Sequence, residues 1–190
     1  MLRPFYKKMS IYELITLAQK NDIKALEELI RVIQREVYSV ISYLVANGTE
    51  VSDLTQEVLI RVAKRIKDLK EPQKFKPWLN RIIYNVYYDE IRRRIKGCLC
   101  VSIEDENCED IVSESEEEPQ EKCIAIELNK LVKSTILALP ESFKIVIILR
   151  EFMGLSYQEI AEITNVALGT VKSRIARARM ILQNKLKNCL

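Results

Sequence analysis

Arginine, asparagine and tyrosine side chains recur at regular intervals along residues 75–94, FKPWLNRIIYNVYYDEIRRR. Arg81, Asn85, Tyr88 and Arg92 are spaced i, i+4, i+7 and i+11, so they share one side of a helix. Cationic side chains hold phosphates, a planar ring stacks on an unpaired base, and an amide can read a base edge. The pattern favours a surface for single-stranded nucleic acid, with an ordinary solvated face as the alternative.

The loop before this helix adds further groups of the same kind. Lys74, Phe75 and Lys76 lie next to its first turn, where they would complete a pocket for unpaired bases. Trp78 and Tyr87 fall near the edge of the apolar side, so we expect both rings in the core. The apolar side itself consists of Leu79, Ile82, Ile83 and Val86.

A second basic pattern occupies residues 156–182, SYQEIAEITNVALGTVKSRIARARMIL. Ala161 is followed four positions later by Asn165 and six positions after that by Val171, which is the spacing of a helix-turn-helix. Asn165 tolerates the left-handed conformation that a tight turn demands. The second helix of such a motif lies in the major groove with its first turns nearest the bases. The candidates for phosphate and base-edge contacts are Thr170, Lys172, Ser173, Arg174 and Arg177.

The rest of this segment predicts how the motif is held. Ser156 and Glu159 have the spacing of a capping box, and Gly154 can close the helix before it. The buried side of the last helix is predicted to contain Val171, Ile175, Ala178 and Leu182. Arg179, Lys185 and Lys187 lie further along and are expected to add general positive charge. Helical hairpins with basic outer faces are common, so the spacing alone leaves a solvated face open.

The composition predicts an all-α fold that positions both patterns. The chain has only four Gly and five Pro, and its apolar residues recur at helical spacing without strand-like alternation. In the first half, Asn21-Asp22 and Asn47-Gly48 mark turns, and Glu71-Pro72 breaks a helix. Ser52 or Asp53 is expected to cap the helix after Gly48, because Asp53 and Gln56 have capping-box spacing.

Charge is strongly segregated along the chain, although the net charge is only +3. Residues 61–96 hold twelve Lys or Arg against four acids, whereas residues 99–122 hold ten acids and one Lys. The acidic stretch has few large apolar residues and reads as a flexible linker. We therefore expect two small helical domains, residues 1–96 and 124–190, joined by an acidic linker at 97–123.

Several kinds of function lack support in the sequence. There is no His, so the commonest general base is missing, and there is no Gly-rich phosphate loop. The spacing of the five Cys matches no standard zinc pattern, and a flexible acidic linker is not preorganised to hold magnesium. We expect no enzyme activity, metal, cofactor or small-molecule substrate. No uncharged apolar run reaches the roughly 20 residues that span a bilayer, so we expect a cytoplasmic protein with reduced cysteines.

Nearly the whole chain resembles the RNA polymerase sigma factors of the extracytoplasmic-function (ECF) type. LPESFKIVIILREFMGLSYQEIAEITNVALGTVKSRIARARMIL is similar to region four of that family, and SDLTQEVLIRVAKRI to the polymerase-binding helix of region two. FKPWLNRIIYNVYYDEIRRR is similar to the segment that melts and reads the minus-ten element. The resemblance implies a factor that binds core polymerase, directs it to specific promoters and assists their opening.

The resemblance also implies site residues. The clamp helices of the largest polymerase subunit would contact Asp53, Leu54, Gln56, Glu57 and Arg61. Unpaired bases of the minus-ten element would contact Lys74, Phe75, Arg81, Asn85, Tyr88, Arg92 and Arg93. The minus-thirty-five duplex would contact Thr170, Lys172, Ser173, Arg174 and Arg177.

Members of the family are typically held inactive by an anti-sigma protein, often membrane-anchored, so the resemblance implies such a partner beside core polymerase and promoter DNA. The chain departs from the family at Leu59 and Ala63, where aromatics are frequent, and at Ala167, where a cap such as Ser or Pro is usual. The main alternative is a helix-turn-helix regulator that binds a palindrome as a dimer. It would leave residues 53–93 without a purpose.

Overall fold

The structure, a computed structural model, describes residues 6, 8–98 and 119–187. Side chains are described for residues 6, 8–94 and 127–187. In these residues every regular element is a helix, which confirms the expected all-α fold. Contacts among the described residues divide them into two compact units. One contains the residues up to 41 and from 49 to 98, and the other contains 42–48 and 119–187.

Residues 8–98 contain four α-helices with two short 3₁₀ turns. The α-helices are α1 (Ile11–Gln19), α2 (Ile23–Leu44), α3 (Gly48–Arg65) and α4 (Phe75–Cys98). The 3₁₀ turns, Ile66–Asp68 and Pro72–Lys74, connect α3 to α4. Gln19 on α1 holds the start of this connection, because its side-chain amide donates to the carbonyls of Ile66 at 3.1 Å and Leu69 at 2.6 Å.

Local rules set the start of the first two helices. Ser10 and Glu13 form a capping box, in which the Ser10 amide donates to the Glu13 carboxylate at 2.7 Å. These hydrogen bonds lower the pKa of Glu13. Asn21 adopts the left-handed conformation, with φ of 68°, and so makes the predicted turn. The Asp22 carboxylate then accepts from the amides of Lys24 and Ala25, both at 3.0 Å.

The core of the first unit has the predicted stripe of α4. Leu79, Ile82, Ile83 and Val86 are all buried, as is Tyr87. Trp78 is half-buried, between the core and the surface. The apolar sides of α2 and α3 contribute Leu29, Ile33, Val37, Val58 and Val62. Burial of each such aliphatic side chain contributes about 1.5–3 kcal/mol, so this core fixes which side of α4 faces solvent.

The start of α3 differs from the prediction. The helix begins at Gly48, so Ser52 and Asp53 lie inside its second turn and neither caps it. Asn47 and Thr49 flank the true start, and Glu50 occupies the first turn, where a negative charge is favourable. Several capping-type residues follow one another here, and the sequence rule selected the wrong one. As a result, Asp53 and Gln56 lie on the exposed side of a continuous helix.

The linker also differs at both ends from the predicted range of 97–123. The backbone of α4 is helical through Cys98, and the next helix begins at Pro119. Proline is favoured in the first turn of a helix because backbone amides there have no acceptor within the helix, so its lack of an N–H group costs no hydrogen bond. The rest of the predicted linker, residues 99–118, lies outside the described residues.

The second half of the chain contains α5 (Pro119–Leu137), α6 (Glu141–Glu151), α7 (Tyr157–Thr164) and α8 (Leu168–Lys187). The last helix packs against the other three. Its predicted buried side is confirmed for Val171, Ile175 and Ala178, while Leu182 is half-buried. The other buried residues include Ile136, Leu139, Val146, Ile147 and Ile160.

Three residues between α6 and α8 have the predicted conformations. Gly154 is left-handed, with φ of 69°, and the Leu155 amide donates back to the Leu149 carbonyl at 3.1 Å. Ser156 and Glu159 form the capping box of α7. Asn165 ends α7 with φ of 54° and ψ of 44°. These local signals therefore determine the directions in which α7 and α8 begin.

The two capping boxes should act independently on their own helices. We predict that Ser156→Ala speeds amide exchange in the first turns of α7 about fivefold, because losing an N-cap costs about 1 kcal/mol. Ser10→Ala should do the same to α1. Hydrogen–deuterium exchange with mass spectrometry measures both, and each variant is the control for the other. Equal exchange of α7 in wild type and Ser156→Ala would contradict the prediction.

Candidate nucleic-acid interface

The polar side of α4 presents most of the predicted minus-ten residues to solvent. Arg81, Asn85, Tyr88 and Arg92 are exposed, and they lie opposite the buried stripe. Lys74, just before the helix, and Arg93, near its end, are exposed as well. The helix thus holds cations, an amide and a ring along one accessible side, as their spacing predicted. Their contact with DNA remains a prediction.

Phe75 is placed differently from its prediction. Its side chain is only 4% exposed, and its ring contacts that of Trp78, with centroids 5.8 Å apart. A buried ring cannot offer a face to a base. The pattern of cations around Phe75 suggested a surface position, but the residue begins α4 and anchors it in the core. We therefore assign Phe75 a supporting role beneath Lys74 and Lys76, which are exposed.

Tyr88 lies between two other side chains of α4. The rings of Tyr84 and Tyr88 are stacked, with centroids 5.6 Å apart and planes 17° apart. The guanidinium carbon of Arg92 lies 4.6 Å from the centre of the Tyr88 ring. Tyr84 was missing from the sequence prediction. The signal was available, since residues 84, 88 and 92 follow at intervals of four.

Ion pairs distinguish the arginines near the end of α4. Arg93 pairs with Glu90 at 3.0 Å, and Arg94 pairs with both Glu90 and Glu50. Arg92 pairs with no carboxylate in the part of the chain that the structure describes. Its charge is consequently the least compensated of the three.

The predicted polymerase-binding residues on α3 fall into two groups. Asp53 and Gln56 are exposed, and Glu57 is partly exposed. Leu54 is only 5% exposed, so it supports the helix from the core and does not present its side chain to a partner. Arg61 is half-buried. Only part of the predicted set is therefore available for direct docking in this conformation.

Arg61 connects α3 to α4. Its guanidinium donates to the carboxylate of Glu57 at 2.7 Å and to that of Asp89 at 3.1 Å. Partial burial opposes its charge, but the hydrogen bonds to Glu57 and Asp89 outweigh this and raise the pKa of Arg61. Asp89 belongs to α4, directly after Tyr88. The pair compensates an acid that would otherwise repel phosphates beside the exposed stripe.

The second unit contains the predicted helix-turn-helix. Helix α7, the left-handed Asn165 and helix α8 follow one another in the chain. The turn at Asn165 is held by a hydrogen bond in which the Val166 amide donates to the Ala161 carbonyl at 3.1 Å. In the first turns of α8, Lys172, Ser173 and Arg177 are exposed, and Thr170 and Arg174 are half-buried. The Ser173 hydroxyl donates to the Thr170 carbonyl at 3.0 Å.

The arginines of α8 also differ in their pairing. Arg174 and Arg177 have no carboxylate partner among the residues described. Arg179 instead donates to the Glu151 carboxylate of α6 at 2.6 Å and 3.1 Å. The hydrogen bonds and charge of Glu151 raise the pKa of Arg179. Arg179 therefore ties α8 to α6, whereas the sequence suggested only a general positive charge.

Within residues 8–94 and 127–187, no cluster of acids and cysteines is arranged to hold a metal ion. The side chains of all five cysteines lie outside the described set. None of the described helices has the length and apolar content needed to cross a membrane.

Two family models of the sigma-70 type match this chain. Residues 29–96, which include α3 and most of α4, match the family "Sigma-70 region 2". Residues 130–182, which include α6, α7 and most of α8, match "Sigma-70, region 4". Each matched range contains one of the two cationic helix faces described above, on α4 and α8 respectively.

Curated relatives extend the similarity over almost the full chain. The ECF RNA polymerase sigma-E factor of Escherichia coli (strain K12) is 36% identical over 178 residues, which cover 92% of this chain and 93% of that protein. The ECF RNA polymerase sigma factor SigW of Bacillus subtilis (strain 168) is 30% identical over 186 residues, covering 95% and 99%. The chain belongs to the ECF family of RNA polymerase sigma factors, whose general function is promoter-specific initiation of transcription.

Solved structures show the same fold. CnrH, determined in complex with the cytosolic domain of CnrY, matches with a TM-score of 0.62 and 22% identity, covering 93% of this chain and 97% of CnrH. The sigma factor RpoE from Bartonella quintana, determined with the anti-sigma factor NepR, matches with a TM-score of 0.66 and 24% identity, covering 86% and 98%. At these identities the similarity establishes the fold.

The Arg61–Asp89 pair should contribute measurably to the stability of the first unit. A double-mutant cycle of Arg61→Gln and Asp89→Asn is expected to give a coupling of about 0.2–1 kcal/mol in the free energy of unfolding, because the pair is partly exposed. Urea unfolding can be followed through Trp78, the only tryptophan in the chain.

The Glu71–Lys74 pair supplies the control for this cycle. Its side chains are 56% and 68% exposed, so its coupling should be smaller. A coupling between Arg61 and Asp89 that is no larger than this control would show that the contact does not tie the two helices together.

Proposed function

We propose that this protein binds core RNA polymerase through α3 and directs it to promoters that have two spaced elements. In this proposal α4 captures unpaired bases of the minus-ten element, and α8 reads the minus-thirty-five element as duplex. The protein itself catalyses no reaction and uses no cofactor or small-molecule substrate, since polymerase performs the chemistry. It acts in the cytoplasm, where core polymerase and promoter DNA are found.

One observation carries the proposal: a single chain has two cationic surfaces of different chemistry. On α4 the cations alternate with a ring and an amide, which suit phosphates and unstacked bases. On α8 the cations lie on the helix of a helix-turn-helix, which suits the major groove of duplex DNA. A factor that opens promoters needs both kinds of contact.

The polymerase contacts are proposed for the exposed side of α3. Asp53, Gln56 and Glu57 would contact the clamp helices of the largest subunit directly. Leu54 supports that surface from the core, and Arg61 connects it to α4 through Asp89. Docking would therefore act on a helix that is joined to the minus-ten surface by an ion pair.

A further partner is proposed from two structural relatives. CnrH was determined with the cytosolic domain of CnrY, and RpoE of Bartonella quintana with the anti-sigma factor NepR. We propose that an anti-sigma protein likewise binds this chain and withholds it from polymerase, and that a membrane anchor on that protein would link release to an external signal.

The different pairing of Arg177 and Arg179 leads to a specific prediction. Arg177→Gln should weaken holoenzyme binding to minus-thirty-five duplex roughly five- to 150-fold, the range for loss of a base contact of about 1–3 kcal/mol. If Arg177 contacts a phosphate instead, the slope of log affinity against log salt should fall by about one. Arg179→Gln is the matched control and should have the smaller effect, because Arg179 already pairs with Glu151. Binding is measured by fluorescence anisotropy over a salt series, and a larger loss for Arg179→Gln would contradict the assignment.

Transcription in vitro tests the proposed function as a whole. Bacterial core polymerase is incubated with a promoter library, with and without this protein, and the transcribed templates are sequenced. We expect initiation that depends on the added protein and enrichment of two motifs at a fixed spacing. If competent core gives no initiation while the protein alone binds duplex DNA as a dimer, the chain is a conventional helix-turn-helix regulator and the proposed function is wrong.

A further inference from the structure

Tyr84, Tyr88 and Arg92 form a continuous stack along α4, which we name the α4 ladder. Tyr84 is half-buried, whereas Tyr88 and Arg92 are exposed. Tyr84 and Tyr88 are stacked, with centroids 5.6 Å apart, and the Arg92 guanidinium carbon lies 4.6 Å from the Tyr88 ring centre. Both distances lie within the ranges of stabilising ring–ring and cation–ring contacts. The three side chains therefore constrain one another before any ligand binds.

Helix geometry determines which surface of the ladder is open. Residues four apart are separated by about 6 Å along a helix axis, so Tyr84 and Arg92 approach Tyr88 from opposite sides. Both faces of the Tyr88 ring are then occupied, although its edge leaves the residue 39% exposed. A base cannot stack on Tyr88 without displacing a neighbour, and the accessible end of the ladder is the guanidinium of Arg92.

The neighbouring charges single out Arg92 as well. Arg93 and Arg94 pair with Glu90, and Arg94 also pairs with Glu50. Asp89 is compensated by Arg61. In the described part of the chain Arg92 has no carboxylate partner, and the Tyr88 ring restricts where its planar group can lie. A guanidinium plane is weakly hydrated and stacks readily on aromatic faces, whereas an ammonium group does not.

We propose that the outer face of the Arg92 guanidinium is the platform for one unpaired base of the minus-ten element, and that Tyr84 is the positioning residue that holds Tyr88 and Arg92 in place. This inference rests on the proposed function, which supplies the unpaired base. The ladder lowers the ordering cost of binding, because a preassembled side chain loses less conformational freedom when the base arrives. It changes the role of Tyr88 from a stacking surface to a support.

The test uses holoenzyme made from core polymerase and the full chain, with a pre-opened promoter obtained from the transcribed library. 2-Aminopurine replaces each unpaired non-template base in turn, and its fluorescence falls when it stacks. With the wild-type protein we expect quenching at one unpaired position. Arg92→Lys, which keeps the charge and loses the plane, should relieve that quenching and weaken binding about five- to 150-fold.

Further variants separate positioning from folding. Tyr84→Leu should relieve the same quenching and weaken binding about two- to tenfold, whereas Tyr84→Phe, which keeps the ring, should stay within about twofold of wild type. Arg94→Lys is the matched control, because it makes the same exchange two residues along the helix at an ion-paired arginine. It should leave the quenched position unchanged. Far-UV circular dichroism verifies that each variant retains its helices.

The outcomes separate this inference from the proposed function. If wild-type holoenzyme does not form on the promoter, the proposed function is wrong and the ladder loses its ligand with it. If the complex forms and Arg92→Lys quenches the same base as fully as wild type, Arg92 is not the platform. If Tyr84→Leu alone leaves the signal unchanged, Tyr84 is not a positioning residue.

Discussion

Burial of one side of α4 is the constraint on which the exposed polar stripe of this helix depends. Leu79, Ile83, Val86 and Tyr87 are at most 2% exposed, so rotation of the helix about its axis would bring apolar area into water. Because successive residues turn by about 100°, fixing that stripe also fixes Arg81, Asn85, Tyr88 and Arg92 on the other side. The surface is therefore set by packing behind it, and the individual contacts in front of it only refine the positions of its side chains.

Ion pairs provide that refinement, and they divide the arginines into two kinds. Arg61, Arg94 and Arg179 each reach an acid on another helix, at Asp89, Glu50 and Glu151 respectively. Their charge is used within the fold. Arg92 and Arg177 have no such acid in the described residues, and they lie on the two exposed helix faces. A count of basic residues would treat all five alike, although only the second kind has a charge that no described carboxylate compensates.

The extent to which the sequence predicted these features depends on the range of the interaction. The stripe of α4, the capping box of Ser156 and the left-handed Asn165 follow from rules that act over four residues or fewer, and all three are confirmed. The cap of α3 follows the same kind of rule but failed, because Asn47, Ser52 and Asp53 offered competing starts. Arg61 and Asp89 are 28 residues apart, as are Glu151 and Arg179. Helical spacing rules relate residues three or four apart, so they could not predict either pair. The burial of Phe75 and Leu54 likewise depends on what the other helices cover.

The long-range pairs matter because they decide what a site residue can do. A predicted contact residue such as Arg61 has the right type and lies on the right helix, but two carboxylates already hold its guanidinium. If polymerase engaged Glu57, Arg61 would retain Asp89 as its remaining partner, and the bond between α3 and α4 would persist through docking. In the proposed function, this ion pair would keep the polymerase-contacting helix α3 connected to the DNA-contacting helix α4. An unpaired base bound to α4 would then cost the protein little further conformational entropy.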